Sequence, residues 1–465
     1  MRRRLALIAL PALLAGCTLE PAYHRPPLPT PAVVANSYGA VQAAPAIQSW
    51  RAFFGDPRLT AVIGQALANN RDLPVAVANV QIARSNWIIQ RAQLFPAVNA
   101  QLGATFSQTP ASAIQGTAAS GAYNEHIYSA GLGVTNYELD LFGRVRSLSK
   151  AALEQYFASK EARDAAQISL VGQVAQAWLT LGADRSLLAV ASDTVTEAKA
   201  SLDLTSAMFQ HGEAAQSDVD QARTLVGQAE YDVGRYSTQV AQDKDALDLL
   251  AGTSIAEDLL PTGIDDEANI LGDLPTGVSS EVLQARPDVL QAEAQLKAAN
   301  ANIGAARAAF FPQITLTGAG GVTSVALSGL FSAGAGTWSF VPQLTQPIFD
   351  AGKNRAGLSQ AKAQRDSAQA SYEKAIQTAF REVADALAQR ARIDQELSAQ
   401  QTMTDAAADA VRLTKAEFSR GSASYLNVLT AERTLFAAQQ TLATTRLLRA
   451  ANLVSLYQAL GGGLS

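Results

Sequence analysis

The sequence predicts a mainly α-helical chain with a transmembrane β part, organised as an internally duplicated helix–β-hairpin–long-helix unit. Three observations carry that prediction. Motifs recur: Arg91-Ala92-Gln93-Leu94-Phe95-Pro96 returns as Arg307-Ala308-Ala309-Phe310-Phe311-Pro312, and Asp140-Leu141-Phe142-Gly143-Arg144 is echoed by Ile348-Phe349-Asp350-Ala351-Gly352-Lys353. Phe209-Gln210-His211-Gly212 and Leu250-Ala251-Gly252 match Phe418-Ser419-Arg420-Gly421 and Ala459-Leu460-Gly461, both at an offset of 209 residues (212 to 421, 252 to 461). Second, no proline occurs from Ala111 to Leu260 or from Ile348 to Ser465, and both blocks are rich in good helix formers. Third, each repeat contains a pair of short segments that alternate apolar and small polar residues, the period of a strand with two unlike faces.

Taken in order, the chain opens on an export signal. Arg2-Arg3-Arg4 is a basic start and Leu5 to Leu14 an apolar stretch too short to span a bilayer. Leu14-Ala15-Gly16-Cys17 resembles a bacterial lipobox, which assigns residues 1–16 to a signal peptide and makes Cys17 the acylated residue. The alternative is an ordinary signal with a chance cysteine. Cys17 is the only cysteine, so disulfides and cysteine–metal clusters are excluded. Residues 17–58 form the acylated N-terminal extended segment, and the prolines at 21, 26, 27, 29, 31 and 45 make residues 18–49 an extended leash.

The first structural repeat is expected over 59–260: a helix, a hairpin at 97–137, then a long helical hairpin. In the strand from Ala97 to Gln108, Val98, Ala100, Leu102, Ala104 and Phe106 alternate with Asn99, Gln101, Gly103, Thr105 and Ser107. The return strand sets Tyr128, Ala130, Leu132 and Val134 against Ser129, Gly131, Gly133 and Thr135. A helix from Arg144 to Gln210 follows, roughly 100 Å long at about 1.5 Å per residue. Gly212 then makes a tight turn into an antiparallel helix. Residues 261–280 are a linker. The second repeat, 281–465, runs through a hairpin at 313–347, a helix from Lys353 to Ser419 and a turn at Gly421. Pro342 interrupts its last strand and removes a ladder donor. Helices of this length need coiled-coil-like neighbours.

The formal net charge of −5 and the lack of a basic block leave nucleic acid no electrostatic footprint. No apolar run after the signal reaches the length of a transmembrane helix, so a membrane would be crossed by strands. The polar side of the strands is small and uncharged, and aromatic residues such as Phe106, Tyr128 and Trp338 flank them, as in a lipid-facing barrel wall. Four strands cannot stand alone in lipid, because each open edge leaves backbone groups unpaired at several kcal/mol apiece. Two chains would give eight strands, whose interior side chains nearly fill; three would give twelve, with room for an aqueous lumen.

The order and spacing of further motifs resemble the bacterial outer-membrane efflux channels, the TolC/OprM-like outer-membrane factors, and within them the lipoprotein branch that serves RND-type pumps. The motifs are Trp50-Arg51-Ala52-Phe53-Phe54-Gly55-Asp56, Asn70-Arg71-Asp72-Leu73, Tyr137 to Arg144, Arg286-Pro287-Asp288-Val289, Ala301 to Arg307 and Ser424 to Leu429. The resemblance implies a homotrimer with a shared 12-stranded β-barrel and a trimeric α-barrel, plus a mixed region built partly from the chain ends. It implies a passive channel joined to a periplasmic adaptor and an inner-membrane pump, carrying no cofactor.

It further implies that the turns at Gly212 and Gly421 lie at the periplasmic tips, where the adaptor docks and the channel narrows. Any axis-facing residue appears three times in a trimer, so a carboxylate becomes a ring that attracts cations. The gate or pore-lining candidates are Asp218, Asp220, Arg420, Leu426, Asn427 and Thr430. Leu426 would be an apolar constriction, and Asp218 would bond across to a neighbouring helix. The alternative for Asp218 is a solvated helix-start carboxylate that offsets the helix dipole. Asn427 and Thr430 stand where relatives often carry gate aspartates, Phe418 replaces a hydroxyl-bearing Tyr, and Ala423 stands where some relatives have a latching Arg. The gate is therefore expected to be less cation-selective and closed more by packing than by ion pairs.

His24, His126 and His211 lack ligand spacing, and Gly318 to Gly321 lacks the lysine and helix of a phosphate loop and reads as barrel wall. No catalytic motif is present, so no enzyme and no metal site is expected. Two other readings share parts of this pattern: a lipid-tethered periplasmic coiled-coil protein, which leaves the hairpins without purpose, and a secretion channel for polypeptides.

Overall fold

A computed structural model describes residues 18–31, 33–34, 49–110, 123–264, 271 and 278–464. The signal peptide, Cys17 and most of the 261–280 linker lie outside the described residues. The chain divides into two compact units. The first takes 1–26, 80–159 and 292–372, and the second takes 27–79, 160–291 and 373–465.

The elements, in chain order, are β1 (Val33–Val34), α1 (Trp50–Phe53), α2 (Pro57–Asn69), α3 (Asp72–Ala92), β2 (Val98–Thr109) and β3 (Tyr123–Glu138). Then follow α4 (Arg144–Gln210), α5 (Gln216–Ala251), β4 (Val278–Ser279), α6 (Pro287–Ala308), β5 (Gln313–Ser324), β6 (Gly336–Thr345), α7 (Lys353–Ser419) and α8 (Tyr425–Ala459). The helix that precedes the first hairpin is broken into α2 and α3. Asn70 makes the break: its backbone turns to ψ 142°, and its side-chain oxygen accepts from Asp72 N–H at 2.8 Å.

The first unit holds one four-stranded antiparallel sheet in the order β2-β3-β5-β6, so β3 and β5 join the two repeats and β2 and β6 are its edges. Register places Val98 beside Val134, Gly318 and Phe340, and Ala100 beside Leu132, Gly320 and Trp338. One face is therefore apolar across all four strands. The other carries Gln101, Gly131, Gly321 and Thr337 in one row. In the single chain the apolar face is bare: Leu102 is 86% and Trp338 81% exposed. The Gly318–Gly321 stretch lies within β5. Pro342 sits on the edge strand β6, opposite Leu316.

Both long helices begin under a carboxylate at the base of the sheet. Asp140 accepts from Arg146 N–H at 2.8 Å, and Asp350 accepts from Gly352 and Asn354 N–H, each at 2.9 Å. Arg144 pairs with Glu138, the last residue of β3.

Residues 18–26 depart from the leash expected of them. Prolines keep them out of a helix, but their free carbonyls are captured by α6. Arg307 donates to Leu19 O at 3.0 Å and Asn300 to Pro21 O at 2.8 Å. Buried Glu293 accepts from Tyr23 and Arg25. Burial alone would raise the Glu293 carboxyl, yet Arg25 and Lys297 hold it below the usual range. Gly304 admits this strap, since a Cβ there would lie 3.0 Å from Glu20 N and Cα.

The second unit is helical, with the short β1–β4 pair beside it. Asp56 caps α2 by accepting from Arg58 N–H at 2.7 Å, with Pro57 in the first turn. That fixes Phe53, Phe54 and Leu59 against Trp178 of α4, Leu247 of α5 and Tyr457 of α8. Phe53 stacks on Tyr457 at 4.6 Å between centroids, so the segment before α2 and the last helix share one core. Buried Arg286 donates to Ala459 O at 2.6 Å and to Asp288 and Glu382 at 2.8 Å, which ties the start of α6 to α7 and α8.

Candidate functional site: the helical tips

The two hairpin turns are built alike. Gly212 and Gly421 adopt φ +75° and +73°, a left-handed conformation that costs glycine nothing. Glu213 N–H donates to Met208 O and Gly212 N–H to Phe209 O; Ser422 to Glu417 O and Gly421 to Phe418 O repeat the pattern. Each long helix is closed by the same pair of reversed bonds that satisfies its last carbonyls.

The side chains differ. At the first turn Asp218 accepts from Ala215 N–H at 3.1 Å, satisfying an orphan donor at the start of its own helix. Within the chain its carboxylate faces its own helix start. Asp220 is exposed and bonds Gln216 and Arg223 at 3.2 and 3.0 Å. At the second turn Asn427 holds the position equivalent to Asp218 (218 to 427) and meets Ser424 Oγ at 3.4 Å. Leu426, Asn427 and Thr430 share the open side of the first turns of α8, with Leu426 39% exposed. Thr430 Oγ1 donates back to Leu426 O at 2.8 Å. Arg420 is exposed just before the turn. The structure thus gathers Leu426, Asn427 and Thr430 on one face, and places Asp218 and Asp220 on α5.

The opposite face of α8 is packed. Tyr425, Val428 and Leu429 meet Ala198 of α4 and Ala222, Leu225 and Val226 of α5. Phe418 meets Tyr425 edge to face at 4.9 Å. One turn on, Glu432 is 7% exposed and takes Lys415 Nζ at 3.0 Å and Ser201 Oγ at 3.1 Å. Burial would lower the Lys415 ammonium, but Glu432 and then Glu197 raise it above its ordinary value. A lysine on α7, an acid on α8 and a hydroxyl on α4 are therefore fastened together. Sequence reasoning missed this cluster. The signal was a single glutamate in the otherwise apolar stripe Tyr425, Val428, Leu429, Phe436.

A second ionisable contact joins α4 to α5. The carboxyls of Asp184 and Asp243 are neighbours across that contact. Burial first, then the neighbouring carboxyl, pushes Asp184 up to about 7, against a smaller pull from Arg235. Asp243 Oδ2 is buried with no donor among the described residues. Among those residues, no group of three or more His, Cys, Asp or Glu could hold a metal ion.

Comparison with known proteins agrees with this architecture. The family model described as "Outer membrane efflux protein" matches residues 62–253 and 278–462. The chain is 45% identical over 469 residues to a probable efflux pump outer membrane protein, TtgC, of Pseudomonas putida, covering 100% of this chain and 96% of that one. It is 41% identical to the outer membrane protein OprJ of Pseudomonas aeruginosa, covering 98% and 95%. Among solved structures, the open state of the Neisseria gonorrhoeae MtrE outer membrane channel superposes with a TM-score of 0.86 at 37% identity, over 97% of this chain and 99% of that one. These are channels rather than enzymes. This chain belongs to the outer membrane efflux protein family, as an outer-membrane exit channel of an efflux pump.

Proposed function

We propose that three copies of this chain close into one conduit that works with a periplasmic adaptor and an inner-membrane RND-type transporter, which supplies the energy. The observation that carries the proposal is the four-stranded sheet with open β2 and β6 edges and a bare apolar face. Unpaired edge groups in hydrocarbon cost several kcal/mol each, so the sheet is sustained in lipid only when β6 of one copy pairs with β2 of the next. Three copies supply twelve strands and direct the small polar face to a wet lumen.

Acyl chains on Cys17 would anchor each copy in the outer membrane. The adaptor would dock at the Gly212 and Gly421 turns. Leu426 would form the narrowest apolar ring, with Asn427 and Thr430 beside it, in place of an acidic ring. Relatives are named for toluene, solvent and antibiotic efflux, and small, largely apolar toxic solutes are the corresponding cargo here. The test is the mass of the detergent-purified particle together with its conductance in planar bilayers. A three-subunit particle that conducts with weak cation preference is expected. A stable one-subunit particle, or one that does not conduct, overturns the proposal.

A further inference from the structure

Glycine within a strand is unfavourable unless something needs the space it leaves. On the small polar face that need is visible. A Cβ on Gly321 would lie 2.2 Å from Ala130 O, and one on Gly131 would lie 2.8 Å from Gly320 O, so β3 and β5 approach too closely for side chains there. On the apolar face it is not. A Cβ on Gly320 would meet nothing within 4 Å, and one on Gly318 would touch only Phe340 and Ser339 at an ordinary 3.7 Å. The fold of the chain does not require these two positions to be bare.

Their bareness makes a trough. Register sets Gly318 between Val134 and Phe340, and Gly320 between Leu132 and Trp338, so β5 is a floor between walls of large apolar side chains. The trough holds about 480 Å³ and is lined at one end by Pro96, Tyr137 and Leu316. That end is where β2 and β5 begin and β3 finishes. The Tyr137 hydroxyl donates to Leu94 O at 3.0 Å, which leaves its ring to line the trough. An amphipathic ring of this kind sits at the headgroup level of a membrane. The lining is almost wholly apolar, and the face is continuous with the lipid-facing wall.

We propose that this trough seats one acyl chain of a phospholipid from the leaflet that adjoins the periplasm. The inference rests on the barrel reading above. Between lipid and protein there is no hydrophobic gain over bulk lipid, so the seat works by close packing of a chain against the glycine floor.

The trimer, reconstituted in vesicles with a phosphatidylethanolamine that carries a diazirine on its acyl chain, is irradiated and its adducts are mapped by mass spectrometry. Adducts at Leu132, Leu316 and Phe340 should exceed those at Leu102, on the same face outside the trough, by about fivefold. Gly320→Leu, whose Cβ meets no protein atom within 4 Å, should fill the trough and bring them down to the Leu102 level. Equal labelling at both places, or labelling unchanged by Gly320→Leu, overturns the seat. Adducts on no strand residue would instead overturn the barrel reading. Should Gly320→Leu not assemble, the smaller Gly320→Ala decides the same question through a partial fall or its absence.

Discussion

The two helical tips have the same backbone and opposite chemistry. Gly212 and Gly421 close their turns with the same reversed bonds, yet the side chains at matched positions differ. Arg223, exposed and paired with Asp220, is matched by buried Glu432 (223 to 432). Ser217 is matched by Leu426, and Asp218 by Asn427. Duplication therefore preserved what bends the chain and released what the bend presents. At the first tip, Asp218 bonds its own helix start and Asp220 lies exposed beside it. The other became an anchored helix with an apolar and amide face turned outward.

That difference can be broken most forcefully at Glu432. Glu432→Ala removes the partner of Lys415 and Ser201 and leaves a hole in the α4–α7–α8 contact. A loss on the order of 2 kcal/mol is expected, discounted because Lys415 is half exposed. Thermal melting of the trimer should fall, and sensitivity of cells to a bulky antibiotic such as vancomycin should rise. Arg223→Ala, its counterpart, should do neither; equal effects would mean the tips are not specialised.

Leu426→Ala sharpens the comparison without unfolding anything, since the side chain is already 39% exposed in the chain. Vancomycin entry should increase, while Ser217→Ala leaves it alone. If neither substitution changes entry, the constriction lies elsewhere.

The Asp184–Asp243 pair predicts a smaller, pH-dependent effect. Asp184 titrates near 7 in the fold and near its usual 3.8 when unfolded, so the folded chain binds the extra proton. Its stabilising share is complete below about 4 and is lost as pH rises through 7. The equivalent positions in the second repeat are Ile393 and Asn452, which carry no such proton. Asp184→Asn should flatten the decline in melting temperature between pH 4 and 7; an unchanged slope would remove the pair from the account.

The smallest effect belongs to Asp218→Asn. Loss of a charged helix-start acceptor is worth a few tenths to about 1 kcal/mol. Single-channel selectivity should barely change, because Asp218 faces Ala215 N–H. A large fall in cation preference would show that three copies of Asp218 face the lumen.

Much of this was legible in the residues. Proline and glycine punctuation set the ends of α4 and α7, and alternation set the faces of β2, β3 and β6. What escaped had a common cause: it depends on partners distant in sequence. The strap over α6 needs Asn300, Arg307 and Gly304 to meet Leu19, Glu20 and Pro21. Glu432 gains meaning only when Lys415 and Ser201 reach it. The two glycine faces of β5 look identical in sequence, and only β3 and β6 beside them tell a tight approach from an open floor. Local signals name elements, whereas long-range neighbours decide what a residue is for.

The middle of the sheet has a consequence for how the protein is made. Thr323 Oγ1 donates to Tyr128 O, 195 positions earlier in the chain. During secretion the early hairpin must wait, its inner border uncommitted, until the late one has been delivered. Such distant pairing is slow to form and leaves strand borders free to meet the wrong mate. A border left open that long favours mispairing, and a truncated product would offer a sticky rim with nothing to complete it.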